Sequence, residues 1–367
     1  MNIRVSGNLL RNKIANISKI FSKSSNNIFS SNIRFLIYRD YLEIQAMNEK
    51  ITASEKIYDD VIIDLDDRPL SSFLIDASTF ISFIKNRVEY IDIKVKDNNE
   101  IDFVYPKGCF STVWLDDKSY PTFFQPVKKN VLTVNSKLFV PVLKRSFYFS
   151  GKDEFRPFIE TALLEISDGF LNVVTTDRFK IFKSSKNIEG ANNQNILLSE
   201  TVSSILYGYL SDEDIDVNIS TDGTRTFICF DNVIISDINV VGKFPNYKFI
   251  FDNFVSNTAF EVNKKEFLSI IQSSSIVEDK FVDINIGPRT EVKSEVLGKR
   301  NKFVEYIDCD YFEGNNQKIK VSKSDILACV NNVVGDNLRM EYCEKSRFLR
   351  FFNPKYSNEL ITCCTYA

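Results

Sequence analysis

The 367-residue chain contains no histidine, one tryptophan, only 12 glycines and only 9 prolines. Without histidine, Ser-His and Cys-His nucleophile systems are excluded. The cysteines (Cys109, Cys229, Cys309, Cys329, Cys343, Cys363, Cys364) are scattered and form no C-x-x-C pair. A metal site is therefore not expected. Their odd number and the lack of a signal peptide fit small buried thiols in a reducing cytoplasm. Neither G-x-x-x-x-G-K-[ST] nor G-x-G-x-x-G occurs, so no phosphate-cradling loop is indicated. No apolar run approaches the length of a membrane span, and Met1–Ser6 has no apolar signal core. Acidic pairs such as Asp66-Asp67 and Asp116-Asp117 read as solvated turns. Nothing here points to an enzyme or a cofactor. The scarcity of glycine and proline also argues against long flexible linkers.

What is present is apolar, aromatic and strand-prone. Hydrophobic residues make up 44% and charged residues 26%, with 32 Phe and a net charge of −3. These are the proportions of a globular protein, and Phe, Ile and Val favour strands. The chain also repeats itself. Val134-Asn135-Ser136 opens an amphipathic run to Phe147, and Val5-Ser6-Gly7 and Val262-Asn263-Lys264 open similar runs about 128 residues away on either side. A second series joins Ile75-Asp76-Ala77, Leu198-Ser199-Glu200 and Val321-Ser322-Lys323 at a period of about 123 residues. Two interleaved series with nearly one period argue for three copies of one unit. The boundaries predicted from the repeat are 1–127, 128–254 and 255–367.

Each copy reads as strand, helix, strands, helix, strands. The first helix is predicted over Asn8–Lys23, where Leu10, Ile14, Ile17 and Phe21 share one face. Later helices are predicted at Ser78–Asn86, Ser136–Phe147, Ser199–Leu210 with Ser199 as cap, Lys264–Ser273 and Ser324–Val333. Strands are predicted at Ile33–Arg39, Tyr41–Ala46 and Tyr58–Ile63, and similarly in the later copies. Tyr120-Pro121 closes the first copy, and Gly242-Lys243-Phe244-Pro245-Asn246-Tyr247 closes the second.

The helices carry sparse cations on small polar faces: Lys19, Lys23, Lys85, Lys137, Lys144, Arg145 and Lys265. Such a surface can lie along a phosphate backbone without reading bases. A solvated helix face is the plain alternative. The helix after Ser199 and the one after Ser324 carry acidic residues instead. With a net acidic chain, DNA binding requires that charges segregate onto different surfaces.

The residues at this point resemble a family. Three copies of a two-helix, strand-rich unit are similar to the bacterial DNA sliding clamp, the β subunit of DNA polymerase III. The resemblance covers the whole chain and is most specific at Arg156–Ser184, Gly242–Tyr247 and Asn337–Met340. Where the family runs Thr-Asp-Gly-His-Arg-Leu, this chain has Thr176-Asp177-Arg178-Phe179-Lys180-Ile181. The resemblance implies an α+β fold of three tandem clamp domains, each with two helices packed on antiparallel sheets. It implies a head-to-tail homodimer ring around double-stranded DNA, without sequence preference. Its role is that of a non-catalytic processivity factor in the cytoplasm. A loader ATPase sets the ring on DNA, and the replicative polymerase and repair proteins are tethered to it.

The family also implies site residues. Its partner-peptide pocket falls here on Ile159, Thr176, Phe179, Lys180, Ile181, Pro245, Phe249 and Ile250, with Ile361, Cys363, Cys364 and Thr365 from the last strand. Ile181 and Ile250 are expected to be partly exposed walls. The ring interface falls on Phe110, with Ile276 and Val277 opposite. Core packing is the alternative for these apolar positions. Arg178 in place of glycine and the tail Cys-Cys-Thr-Tyr-Ala leave open a divergent clamp-fold scaffold with altered partners or poor ring formation.

Overall fold

The computed structural model describes residues 2–21, 28–64, 72–96, 98–127, 132–153, 155–188, 193–296, 298, 300–356 and 359–365. The chain runs β1 (Asn2–Ser6), α1 (Gly7–Ile17), β2 (Asn32–Ile37), β3 (Leu42–Met47), β4 (Ile51–Ile57), β5 (Val61–Asp64) and β6 (Ser72–Asp76). It continues α2 (Ala77–Ile84), β7 (Tyr90–Val95), β8 (Glu100–Tyr105) and β9 (Gly108–Val113). The pattern then recurs as β10 (Leu132–Asn135), α3 (Ser136–Ser146), β11 (Thr161–Ser167), β12 (Phe170–Thr176), β13 (Lys180–Asn187) and β14 (Gln194–Ser199). Its second half is α4 (Glu200–Leu210), β15 (Asp216–Thr221), β16 (Arg225–Phe230) and β17 (Val233–Ile238). A short α5 (Lys248–Asp252) precedes β18 (Thr258–Asn263), α6 (Lys264–Ser273), β19 (Phe281–Ile286), β20 (Arg289–Glu295), β21 (Lys302–Asp308), β22 (Tyr311–Gly314) and β23 (Gln317–Ser322). Last come α7 (Lys323–Asn332), β24 (Asn337–Cys343), β25 (Phe348–Phe352) and β26 (Glu359–Cys364).

The period in the sequence has a local cause. Six helices start directly from a strand, and the strand's last residue caps the helix. Side chains of Ser6, Asp76, Ser199, Asn263 and Ser322 accept hydrogen bonds from backbone N–H groups in the first turn. At α3, Asn135 Oδ1 accepts from Lys137 N at 3.1 Å. Each cap satisfies orphan donors that the helix cannot use itself. α1 is shorter than the sequence pattern predicts. It ends at Ile17 and passes into a 3-10 turn, Ser18–Ile20, so Phe21 lies beyond it.

The strands form antiparallel sheets in a repeated order. The orders β4-β3-β2-β6, β13-β12-β11-β14 and β21-β20-β19-β23 are the same topology three times. So are β1-β7-β8-β9, β10-β15-β16-β17 and β18-β24-β25-β26, the first and third of which carry an added edge strand, β5 and β22. These sets fuse in two places. β17 pairs with β4, from Val233↔Glu55 to Asp237↔Ile51, giving an eight-stranded sheet. β13 pairs with β26, from Lys180↔Cys363 to Ser184↔Glu359, giving a nine-stranded sheet. Each fused sheet anchors one compact unit. The first comprises Met1–Pro141 with Leu198–Asn239, and the second Val142–Leu197 with Val240–Ala367.

β4 departs from the expected pattern. Its sequence, I-T-A-S-E-K-I, has polar residues where an exposed strand edge would have them, yet six of its seven residues are buried. The seam with β17 covers it, and Thr52 Oγ1 lies 2.9 Å from Ser236 Oγ across that seam. The strand expected at Tyr58–Ile63 is instead β5, starting at Val61 after a turn at Asp59-Asp60. β14, β20 and β22 to β24 are strands beyond those predicted, although β23 and β24 do alternate, burying Ile319, Val321, Leu338, Met340 and Tyr342.

In each unit an irregular segment lies over one sheet and is fastened by aromatic rings on cations. In the first, Asp117 pairs with Arg34 at 2.6 Å, the Arg34 guanidinium sits 5.1 Å from the Tyr120 ring, and Arg225 sits 4.5 Å from Phe124. In the second, Tyr247 donates its hydroxyl to Glu165, Lys183 sits 5.3 Å from Phe251, and Arg350 sits 3.8 Å from Phe254. Such contacts contribute about 0.5–2 kcal/mol each, depending on burial.

Candidate functional site

Most of the helix cations named from the sequence are exposed: Lys19, Lys85, Lys137, Lys144 and Lys265. Several are held locally. Lys19 Nζ donates to the Ser204 carbonyl at 2.5 Å. Lys137 Nζ lies 2.8 Å from Asp214, and Lys265 Nζ lies 3.1 Å from Asp336. Exposed pairs like these are weak and exchange readily for another anion. Lys23 lies outside the described residues. Arg145 behaves differently from the expected surface cation. It ion-pairs with Glu359 of β26, whose side chain is only 8% exposed. Ser184 also donates to that carboxylate at 3.3 Å. Arg145 is thus a structural cation, and the helix pattern could not reveal it because its partner lies in the last strand.

Helical spacing also missed Lys13. Its ammonium lies 2.5 Å from Glu55, and Tyr209 donates to the same carboxylate at 2.5 Å. Burial pushes the Glu55 carboxyl above its usual range, against the pull of Lys13 and Tyr209. The triad ties α1, β4 and α4 together within one unit.

The partner-pocket residues divide into a floor and a rim. Ile159, Thr176, Ile181, Ile361, Cys363 and Thr365 are buried. Phe179, Pro245 and Phe249 are exposed, whereas Lys180 and Ile250 are half-buried. The side chain of Cys364 lies outside the described residues. Ile181 does not have the expected partial exposure. It packs in a core cluster with Leu163, Val174 and Tyr247, against Phe244 and Phe251. Ile250 remains available as a wall. Lys180 is held by Asp177 and, at 3.4 Å, by Asp325 of α7. Burial by itself depresses the Lys180 ammonium, but these two carboxylates outweigh it and leave it above its ordinary value.

The rim is shaped by the turn between β12 and β13. Thr176 Oγ1 donates to the Lys180 carbonyl at 2.8 Å and accepts from Arg178 N at 3.0 Å. Asp177 Oδ1 accepts from Phe179 N and Lys180 N at 2.9 and 2.8 Å. Arg178, at φ 82°, occupies the left-handed region.

The named interface residues lie near two open edges. Phe110 is half-buried on β9, an edge strand, and stacks on Phe83 at 4.8 Å. Ile276 is 77% exposed, in a 3-10 turn that packs on β21, the edge of the four-stranded sheet. Val277 is 2% exposed and is packed inside its own protomer.

A cleft of about 260 Å³ lies elsewhere, around Arg339 and Thr258. Its cation is already held by Glu261 and Glu341 at 3.0 and 3.1 Å, so it has a structural explanation. Among the described residues, no group of three or more potential ligands gathers to hold a metal ion. No helix among them is long and apolar enough to cross a membrane.

No family model matches the chain. Two curated proteins are similar in sequence, both named Beta sliding clamp. The one from Halalkalibacterium halodurans is 19% identical over 281 residues, 74% of each chain. The one from Chlamydia muridarum is 21% identical over 211 residues, 56% of each. Solved structures agree over the full length. The DNA polymerase sliding clamp of Bacillus subtilis superposes with a TM-score of 0.92 at 18% identity, covering 100% of this chain and 99% of that one. The DNA polymerase III β subunit of Thermotoga maritima gives 0.90 at 15% identity, covering 100% and 99%. The fold is α+β, that of the bacterial sliding clamps, and the sequence is similar to two proteins of that name.

Proposed function

We propose that this protein is a DNA sliding clamp, a non-catalytic processivity factor that encircles double-stranded DNA and tethers a replicative polymerase. The observation that carries the reading is the thrice-repeated sheet order. At both seams, the last strand of one copy pairs with the third strand of the preceding copy's first sheet: β17 with β4, and β26 with β13. The equivalent strands left over are β9 and β21, and both are sheet edges. A third seam between β9 of one protomer and β21 of another closes a head-to-tail homodimer by the same rule. Open edges of this kind otherwise invite uncontrolled pairing. The three copies, 1–127, 128–254 and 255–367, are the domains of this ring.

In this reading the helices face DNA in the cytoplasm, and Lys19, Lys85, Lys137, Lys144 and Lys265 supply sparse phosphate contacts. Few contacts keep direct binding weak and salt-sensitive, which permits sliding. A loader ATPase opens the ring. The partner pocket on the second unit takes a short apolar peptide from the polymerase. A Pseudomonas aeruginosa sliding clamp that superposes with a TM-score of 0.90 at 13% identity was solved bound to griselimycin.

The test is retention on DNA after loading. Protein loaded on nicked circular DNA should persist and should run off once the circle is linearised. Equal retention on both at moderate salt would overturn the topological mechanism. Arg178 in the pocket turn favours a second reading in which the clamp fold serves altered partners. It is distinguished by circle-dependent retention without binding of polymerase-derived peptides.

A further inference from the structure

We infer that Arg178 is a specificity-determining residue of the partner groove, selecting segments that carry a carboxylate beside their apolar anchor. The inference rests on the groove reading above and narrows its partner.

The chain contains a twin of the Arg178 turn. Thr221-Asp222-Gly223-Thr224-Arg225 links β15 to β16 with the same hydrogen bonds as Thr176-Asp177-Arg178-Phe179-Lys180. Thr221 Oγ1 donates to the Arg225 carbonyl at 2.8 Å and accepts from Gly223 N at 3.1 Å. Asp222 Oδ1 accepts from Thr224 N and Arg225 N at 2.8 and 2.7 Å. Gly223, at φ 95°, occupies the place of Arg178. The turn is therefore complete with glycine, which reaches this region without steric cost. An arginine there costs backbone free energy. Strain of this kind, held at a site, points to function.

Among the described residues, no ion pair offsets the cost. Arg178 is exposed, and among the described residues its guanidinium meets no carboxylate. It lies 6.0 Å from the ring of Phe179, which is itself 49% exposed. The neighbouring cation, Lys180, is by contrast already committed to Asp177 and Asp325. One uncommitted cation thus stands beside one exposed aromatic ring at the groove rim. A planar guanidinium binds carboxylates in a two-pronged geometry. The complementary occupant is a peptide whose apolar side chain covers Phe179 while a carboxylate meets Arg178. That carboxylate comes either from an Asp or Glu side chain or from a free chain terminus.

The test is fluorescence anisotropy with the full-length protein and three short labelled peptides, each containing Gln and a Leu-Phe pair. One is neutral and amidated. One has Asp next to the Leu-Phe pair and is amidated. One is neutral with a free C-terminal carboxylate after the pair. The wild type should bind at least one carboxylate peptide about fivefold more tightly than the neutral one at moderate salt. The preferred member of the last two identifies the source of the carboxylate. Arg178→Gly should bring the ratio to about one, and Arg178→Glu should invert it. Raising salt to about 0.5 M should shrink the wild-type preference. A wild-type preference that survives in Arg178→Gly, or no preference in the wild type, would overturn the inference while leaving the groove. Failure of all three peptides to bind would overturn the groove itself, and the inference with it.

Discussion

Two turns with one hydrogen-bond scheme allow the backbone term to be isolated. A Cβ at Gly223 would meet nothing within 4 Å, so Gly223→Ala adds no clash and changes only backbone strain, partly offset by lost unfolded-state freedom. It should destabilise the protein by about 1 kcal/mol. Arg178→Gly removes the same strain but adds unfolded-state freedom, leaving a net gain of about 0.5 kcal/mol. Urea unfolding midpoints check both, and equal midpoints for all three proteins would remove strain from the account. At this scale the sequence was legible in residue type more than in exposure. Thr176-Asp177 marked the turn, and the apolar character of Ile181 and Ile250 was evident. Which of them faces a groove was not, because the neighbours that bury Ile181 are Leu163, Val174 and Tyr247, the last distant in the chain. Ile181→Ala should therefore cost about 2–4 kcal/mol, and the half-buried Ile250→Ala about 1 kcal/mol. Thermal melts distinguish them, and similar small losses at both positions would return Ile181 to the groove wall.

Elements that begin with a cap were the most legible. Ser199 at the head of α4 and the span Lys264–Ser273 were readable because cap and apolar stripe lie in one short window. β4 was not, since its burial comes from β17, more than 170 residues away, and its own residues alternate only weakly. Long-range pairing hides charges as well. Arg145→Ala leaves Glu359 buried beside Ser184 without its cation, and should cost about 2–3 kcal/mol. Lys85→Ala, at an exposed position, should stay within about 0.5 kcal/mol. Chemical denaturation of the two variants checks the contrast, and comparable losses would mean that Arg145 is an ordinary surface cation.

Glu55, between α1 and α4, gives a pH signature at the same scale. Its folded carboxyl titrates above the ordinary 4.5, mainly because of burial. Between that value and the folded one, the unfolded chain has released a proton that the folded chain retains. Stability contributed by this group is thus fully present below the ordinary range, falls as pH rises through the folded value, and is level above it. Glu55→Gln should abolish this slope, whatever its offset in stability. Urea midpoints of both proteins between about pH 4 and 8 provide the comparison. Parallel curves would mean that Glu55 titrates like an exposed carboxylate.

For the whole molecule, the repeat was the strongest sequence signal, because each copy starts its helices from a capped strand. The pairing of copies was illegible, since seams are made between strands far apart in the chain. The proposed third seam gives the last prediction. Ile276 is 77% exposed and its 3-10 turn packs on β21, whereas Phe110 lies on β9 against Phe83. Phe110 is thus partly a core residue, and changing it would confuse folding with assembly. Ile276→Asp avoids this, because its side chain contributes little to the folded protomer. If β9 and β21 join between copies, the substitution places an unpaired carboxylate in a drying interface, an expensive arrangement. The dimer dissociation constant should rise at least about tenfold, with the melting of the dissociated chain unchanged. Sedimentation velocity across a concentration series measures the first, and calorimetry at the dilute end measures the second. A strictly monomeric wild type at micromolar concentration would remove the ring. A dimer indifferent to Ile276→Asp would retain assembly but move it away from β21. Val277→Ala supplies the control: packed inside its own protomer, it should lower stability without selectively weakening the dimer.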